Sequence, residues 1–244
     1  MLSDFNCKIF NTDRLSFLNT SDYPLDYAVA KINSDLNTLD SLGFHRLICQ
    51  VIHDENIPIN RTLDKIDNLE RFIRQSIGRS NRRKFNINVL PVIYLSENAP
   101  YINNLSALTA FGTNYIITEL PISVTYPDYL DTTINKILYN CKLRPVFTEF
   151  ETFSNIHNGT EYIEKMINIK NSAFVFSLSS NNFLGSIRLM RHIYDNGNTV
   201  LLSTGCEHDL FDMKRIKKNL LVLKEKLSED VYLSIMLNAH RFLR

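Results

Sequence analysis

The chain has 244 residues, 44% of them hydrophobic and 22% charged, with a net charge of +1. That length is usual for one α/β barrel, and the apolar fraction is enough for a sizeable core. The near-zero charge offers no bulk attraction to nucleic acid or to an anionic membrane, and no apolar run approaches the ~18 residues of a membrane span.

Along the chain, short apolar runs alternate with segments of helical spacing. Strands are predicted at Arg14–Leu18, Phe44–Ile52, Ile87–Leu95, Tyr115–Leu120, Pro145–Phe150, Ala173–Leu178 and Thr199–Ser203. Between the first two, Leu25, Val29, Ile32, Leu36, Leu39 and Leu42 give an apolar face at steps of three and four. Leu63, Ile66, Leu69, Phe72 and Ile73 give a second, with Asn60 or Thr62 placed to cap it. The run Arg79, Arg82, Arg83 and Lys84 just beyond reads as a solvated helix end or loop. Leu130 to Leu138, Ile163 to Ile167 and Ile187 to Ile193 continue the pattern, the last stopped by Asp195-Asn196-Gly197. Two further helices fill Ile216 to Leu243, parted near Ser228-Glu229-Asp230.

Strict alternation predicts a parallel sheet with right-handed crossovers. No Gly-rich nucleotide-binding loop follows any strand. The expected fold is therefore α/β: a distorted seven-stranded TIM-like (β/α)7 barrel. It forms a single domain over 1–244, with the barrel at about 13–227 and a C-terminal helix at 229–243. A barrel places its chemistry at the strands' carboxyl ends, which directs attention to Thr204-Gly205-Cys206-Glu207-His208 after the seventh run. The early charges Asp4, Lys8, Asp13 and Arg14 do not form a signal peptide. Cys7, Cys49, Cys141 and Cys206 lie far apart and read as reduced. A cytoplasmic protein with no membrane insertion and no nucleic-acid partner is expected.

The segment Leu108 to Phe153, LTAFGTNYIITELPISVTYPDYLDTTINKILYNCKLRPVFTEFETF, carries a resemblance. It is similar to the middle of the bacterial capsule-type tyrosine phosphatases of the polymerase-and-histidinol-phosphatase (PHP) superfamily. There an F-G-x-N-Y-x-L-x-E strand is followed by a helix and a strand ending A-H-P-E-R-Y. The last strand of that family ends G-T-D-C-H-H or similar, against Ser203 to His208 here. The resemblance extends from about Asp13 to about Leu227. It implies a distorted seven-stranded barrel and metal ions held at the strand ends.

Residue by residue, the metal pattern is mostly gone. The family opens with D-x-H-S-H, matched here to Asp13-Arg14-Leu15-Ser16-Phe17, so Leu15 and Phe17 replace two imidazoles and offer a cation no lone pair. The T-P-H after the second strand is Gln50-Val51-Ile52, with His53 one place late. A one-residue shift turns a side chain to the opposite face. Glu97 keeps the glutamate after the third strand. In A-H-P-E-R-Y the histidine is Glu149 and the arginine Thr152, while Glu151 keeps the glutamate. The final D-x-H is Gly205 and Glu207, with His208 beside it.

The vestigial site is thus Leu15, Phe17, Ile52, His53, Glu97, Glu149, Glu151, Gly205, Glu207 and His208. No residue stands out as catalytic. Gathered carboxylates without metal repel a phosphate dianion and supply no hydroxide nucleophile. The expectation is a catalytically degenerate tyrosine-phosphatase homologue without a cofactor, a binding or regulatory protein. The resemblance implies as partner a tyrosine kinase or another capsule- or exopolysaccharide-system protein, with self-association into a homo-oligomer. The alternative is a divergent metal-dependent phosphoesterase in which His53, Glu97, Glu149, Glu207 and His208 hold Mn, Fe or Zn. A third is metal-free acid–base work by paired carboxylates. The plainer readings are that Leu15 and Phe17 fill a core and that Glu149 and Glu207 pair with Arg14 or Arg144. Cys206 makes a weak nucleophile, since the neighbouring Glu207 raises its pKa.

Overall fold

A computed structural model gives the fold of the chain, describing residues 2–5, 7, 25–123, 125–155, 159–205 and 212–242. The strands are β1 (Leu2–Asp4), β2 (Phe44–His53), β3 (Asn86–Tyr94), β4 (Tyr115–Glu119), β5 (Arg144–Phe147), β6 (Ala173–Ser177) and β7 (Thr199–Ser203). They form one seven-stranded sheet in sequential order, every neighbouring pair parallel. Parallel pairing of consecutive strands requires a crossover each time, and right-handed crossovers roll such a sheet toward a barrel.

Period-two alternation sorts the strand residues into two cores. Phe5, Ile48, Val92, Ile117, Val146, Val175 and Leu201, drawn from around the whole sheet, cluster with one another and fill the inside. Their neighbours Cys49, Val51, Ile93, Phe147, Phe174 and Val200 belong to the larger outer core, shared with Ile66, Leu69 and Met190 of the surrounding helices. Both faces of each strand are covered, which is why the strands read as continuous apolar runs.

The ends of the sheet meet. The Phe5 amide donates to the Leu202 carbonyl at 3.1 Å. The fully buried Asp4 carboxylate accepts from the Thr204 amide at 3.0 Å and the Thr204 hydroxyl at 2.5 Å. The first strand therefore differs from the one expected. It lies at Leu2–Asp4, and the predicted strand Arg14–Leu18, with Leu15 and Phe17, falls outside the described residues. Among the described residues the sheet begins at Leu2. Three residues that include Ser3 and Asp4 carry no apolar run to detect, and pairing with β2 and β7 decides their state.

The helices are α1 (Leu25–Ser41), α2 (Ile59–Ser76), α3 (Arg79–Lys84), α4 (Leu130–Asn135), α5 (Gly159–Ile167), α6 (Phe183–Asp195), α7 (Met213–Lys226) and α8 (Glu229–Phe242). Neither Asn60 nor Thr62 caps α2. Pro58 stands at the N-cap and both expected caps lie inside the helix, Thr62 turned into the core. The basic run forms α3, where Lys84 pairs with Asp40 at 2.5 Å and Arg82 Nε donates to the Ile77 carbonyl at 2.8 Å. Helix α6 ends before Gly197, whose φ of +78° supplies the left-handed turn. Helix α8 packs over both β7 and β1, and the buried Asn238 amide donates to the Val200 carbonyl at 3.3 Å, so it covers the seam. Among the described residues no helix is long and apolar enough to cross a membrane.

Candidate functional site

At the carboxyl ends of β5, β6 and β7 a cavity of about 280 Å³ opens. It is lined by Glu149, Glu151, Thr152, Val175, Ser177, Ser179, Ser180, Asn181, Ser203 and Gly205. Val175 and Ser177 stand two apart on β6, so both face the barrel interior, and Val175 belongs to the inner core. The cavity is thus the top of the barrel interior, where this architecture puts its sites.

Local geometry holds the polar groups in place. Glu149 follows β5 at a φ of +53°, a left-handed conformation costing a residue with a side chain about 1–2 kcal/mol. Thr152 offsets this by donating both its amide, at 3.0 Å, and its hydroxyl, at 2.7 Å, to the Glu149 carbonyl. Phe150, next to Glu149, is fully buried and stacks edge-on to Phe174 at 4.7 Å. With Phe150 pointing into the outer core, Glu149 and Glu151 on either side come to the cavity. Glu151 is buried, and its Oε1 accepts from the Ser177 amide at 2.8 Å.

Gly205 explains the other wall. Its φ is +63°, and a Cβ built on it would lie 1.8 Å from Ser177 Oγ, 2.5 Å from Ser179 Oγ and 2.9 Å from Ser177 Cβ. The space a larger residue would need is occupied by serine. The two hydroxyls bond each other at 2.7 Å, the Ser179 amide donates to Ser177 Oγ at 3.1 Å, and the Gly205 amide donates to Ser203 Oγ at 2.9 Å.

Of the residues expected from sequence, the structure brings Glu149, Glu151 and Gly205 to this cavity. His53 goes elsewhere. It alternates with Ile52 on β2, faces α2, is 3% exposed and shares a 2.8 Å hydrogen bond between Nδ1 and the Thr62 hydroxyl. Ile52 is the residue of that pair turned out of the outer core, and it is exposed. Glu97 lies exposed on the loop after β3, near Tyr129 and Glu55 rather than on the cavity wall. Arg144 sits at the amino end of β5 over the Tyr115 ring, 5.7 Å from its centroid, away from Glu149 at the carboxyl end. Cys206, Glu207 and His208 lie outside the described residues, as do Arg14, Leu15 and Phe17.

The stretch Asp13 to Phe17, matched to the family's opening motif, lies outside the described residues, and Asp4 accepts two hydrogen bonds from Thr204. Among the described residues no three His, Cys, Asp or Glu side chains are grouped to hold a metal ion.

Sequence reasoning missed Ser177, Ser179, Ser180, Asn181 and Ser203. The polar stretch Ser177 to Asn182 after an apolar run carries the same strand-end signal that singled out Thr204 to Asp209. It also missed Glu119, which alternates with the inner-core Ile117 at the end of β4. Beyond β4, Tyr94, Tyr126 and Tyr129 line an open groove of about 580 Å³ with Pro121 and Ile122. Burial pushes the Tyr94 phenol up, with the Glu119 charge adding to the effect.

Burial likewise pushes the His53 imidazole below its ordinary 6.5, against the weaker opposing pull of Asp54 and Glu55 and alongside a minor contribution from Lys65. A depressed folded-state pKa gives stability that is complete above the unfolded value and is lost as pH falls through the folded one. The unfolding free energy is expected to decline as pH drops below about 6.5. His53→Gln should flatten that decline in urea melts compared across pH, and a wild-type slope unchanged by the substitution would assign it to other groups.

No family model matches the chain, and no curated protein matches it. Solved structures do. One belongs to the pair YwqE from Bacillus subtilis and CpsB from Streptococcus pneumoniae, described as unique metal-dependent tyrosine phosphatases. It matches with a TM-score of 0.65 and 16% identity, over all of this chain and 94% of that one. A point mutant of the organophosphorus hydrolase from Deinococcus radiodurans matches with a TM-score of 0.48 and 9% identity, over 99% of this chain and 92% of that one. The protein has the fold of the first of these, the barrel of a metal-dependent tyrosine phosphatase.

Proposed function

We propose that this protein is a binding or regulatory member of the phosphatase-barrel group that has lost metal-dependent phosphoester hydrolysis. The observation that carries the reading is Gly205. By the sequence resemblance it takes the place of a metal-binding aspartate, and Ser177 and Ser179 lie in the space a side chain there would enter. By the same resemblance Glu149 and Thr152 take the places of a metal-binding histidine and a phosphate-facing arginine, and both line the cavity. Without cations the developing charge of phosphoryl transfer has no stabilising partner. The resemblance to capsule-type enzymes supports a cytoplasmic setting in capsule or exopolysaccharide production, with a tyrosine kinase of that system as the expected partner.

The test is direct. The full chain, supplied with Mn²⁺, Fe²⁺, Co²⁺ or Zn²⁺, should turn over neither p-nitrophenyl phosphate nor a phosphotyrosyl peptide above background. Elemental analysis should find no stoichiometric transition metal. Metal-dependent turnover abolished by Glu149→Ala would overturn this reading in favour of a divergent metallohydrolase. The second reading draws support from Glu149 and Glu151, which line the cavity beside Gly205, the residue that leads into Cys206-Glu207-His208.

A further inference from the structure

The crossover from β3 to β4 differs from the others. Each of those contains an α-helix, whereas residues 95–114 carry only 3-10 turns at Ala99–Tyr101, Leu105–Leu108 and Ala110–Gly112. Near the amino end of β3 an open groove of about 360 Å³ is lined by α2, α3 and the first residues of β3, with no residue of that crossover on its walls. Buried Ile73, Ile77 and Phe85, with half-buried Ile87, give it an apolar floor, and Arg74 and Arg82 stand beside them. We infer that this groove docks an extended segment of a partner protein, which adds as a strand beside β3 and carries aspartates or glutamates among its apolar residues.

The sheet supplies the template. β3 pairs with β2 from Asn86 to Ile93 but with β4 only from Val92 to Tyr94. The edge before Val92 has no strand beside it, and at Asn86, Ile87 and Asn88 it is exposed or half-buried. Pro91 marks the change, since a residue without N–H suits an unpaired edge. Open backbone N–H and C=O groups at such an edge accept an added strand. Strand side chains alternate, so every second residue of the incoming segment faces the apolar floor.

Charge selects the segment. Residues 71–84 hold six basic side chains and no carboxylate, in a chain whose net charge is +1. Lys84 is taken by Asp40, and Arg82 by the Ile77 and Gln75 carbonyls. Glu70, the one carboxylate of the lining, faces Arg74 at 3.3 Å, but the Arg74 side chain remains 78% exposed with donors to spare. Arg71, Arg79 and Arg83 are exposed and have no ion pair among the described residues. Arg71 and Arg79 stand three residues before Arg74 and Arg82, so each extends the basic row on its helix. A basic segment would be repelled here. A nucleic-acid backbone or an anionic bilayer would engage the arginines and leave the apolar floor and the strand edge without partners. An acidic strand uses all three.

The test is a panel of short blocked peptides in which valine, leucine or phenylalanine alternates with aspartate or glutamate, titrated onto the full chain. At least one should bind saturably and one-to-one, more weakly as salt is raised. Counterparts with lysine for the acids, or with proline at every second position, should not bind. Arg74→Glu with Arg79→Glu should weaken the bound peptide about tenfold or more, while Lys217→Glu on α7 leaves it unchanged. Both arginines are exposed, so the double variant should melt like wild type. Amide exchange at Asn86–Asn88 should slow in the complex, which contact by side chains alone would not produce. Absence of binding across the panel, equal binding of the lysine or proline counterparts, or indifference to the arginine substitutions would overturn the inference. So would tighter binding of single-stranded RNA or phosphatidylserine vesicles through the same arginines. The groove lies at the amino end of β3, away from the barrel mouth, so metal-dependent turnover would sink only the preceding reading.

Discussion

Phe150→Ala is expected to cost the fold about 3–5 kcal/mol, the range for truncating a buried phenylalanine. Phe150 has no exposed surface and lies against Phe174 at 4.7 Å, Phe153 at 6.0 Å and Phe176 at 6.1 Å. The aromatic packing continues through Phe153 to Tyr162 at 4.7 Å and on to Tyr126 at 4.9 Å. A cavity opened at Phe150 removes contacts from several rings at once, and stiff aromatic neighbours collapse into it poorly. The effect reaches the candidate site, because Glu149 and Glu151 flank the deleted ring. Urea denaturation with an unchanged m value measures the loss. A cost below about 1 kcal/mol would mean that this cluster rearranges freely, and that the ring does not hold the two glutamates.

The second large effect is expected at the barrel seam. Asp4 accepts two hydrogen bonds from Thr204 beneath α8, and bonds to a charged group contribute about 1.5–3 kcal/mol each. Asp4→Ala should therefore cost about 3 kcal/mol or more. Thr204→Val, which keeps the amide bond, should cost about half as much, and the double mutant should lose less than the sum of the two. Amide exchange offers an independent reading. The Phe5 amide bonds across the seam to the Leu202 carbonyl, so its protection should fall in Asp4→Ala while that of the β2–β3 amides changes less. Additive costs and intact Phe5 protection would show that β1 and β7 are held together by α8 alone. Thr204 precedes Gly205, so weakening the seam should also disturb the cavity wall.

The amino-acid sequence by itself determined the alternation of strand and helix, six of the seven strands to within a few residues, and the single parallel sheet. These follow from burial on one face or two, which leaves periods of 2 and 3.6 in the order of residues. Gly205 was marked by its position after an apolar run, and Glu149 and Glu151 by the resemblance to the family's strand-end motif. Tertiary structure decided the rest. The first strand is three residues with a serine and an aspartate, stabilised by its neighbours in space and not by any local pattern. Whether His53 faces the mouth or the helices depended on β2 continuing regularly to its last residue, which left the ring against Thr62. The serine cavity arises because loops 26 residues apart, after β6 and β7, close on each other at Gly205, as in the 3.4 Å bond from Ser179 Oγ to the Gly205 carbonyl. Strand ends supply candidates, and only sheet closure determines which of them share a wall.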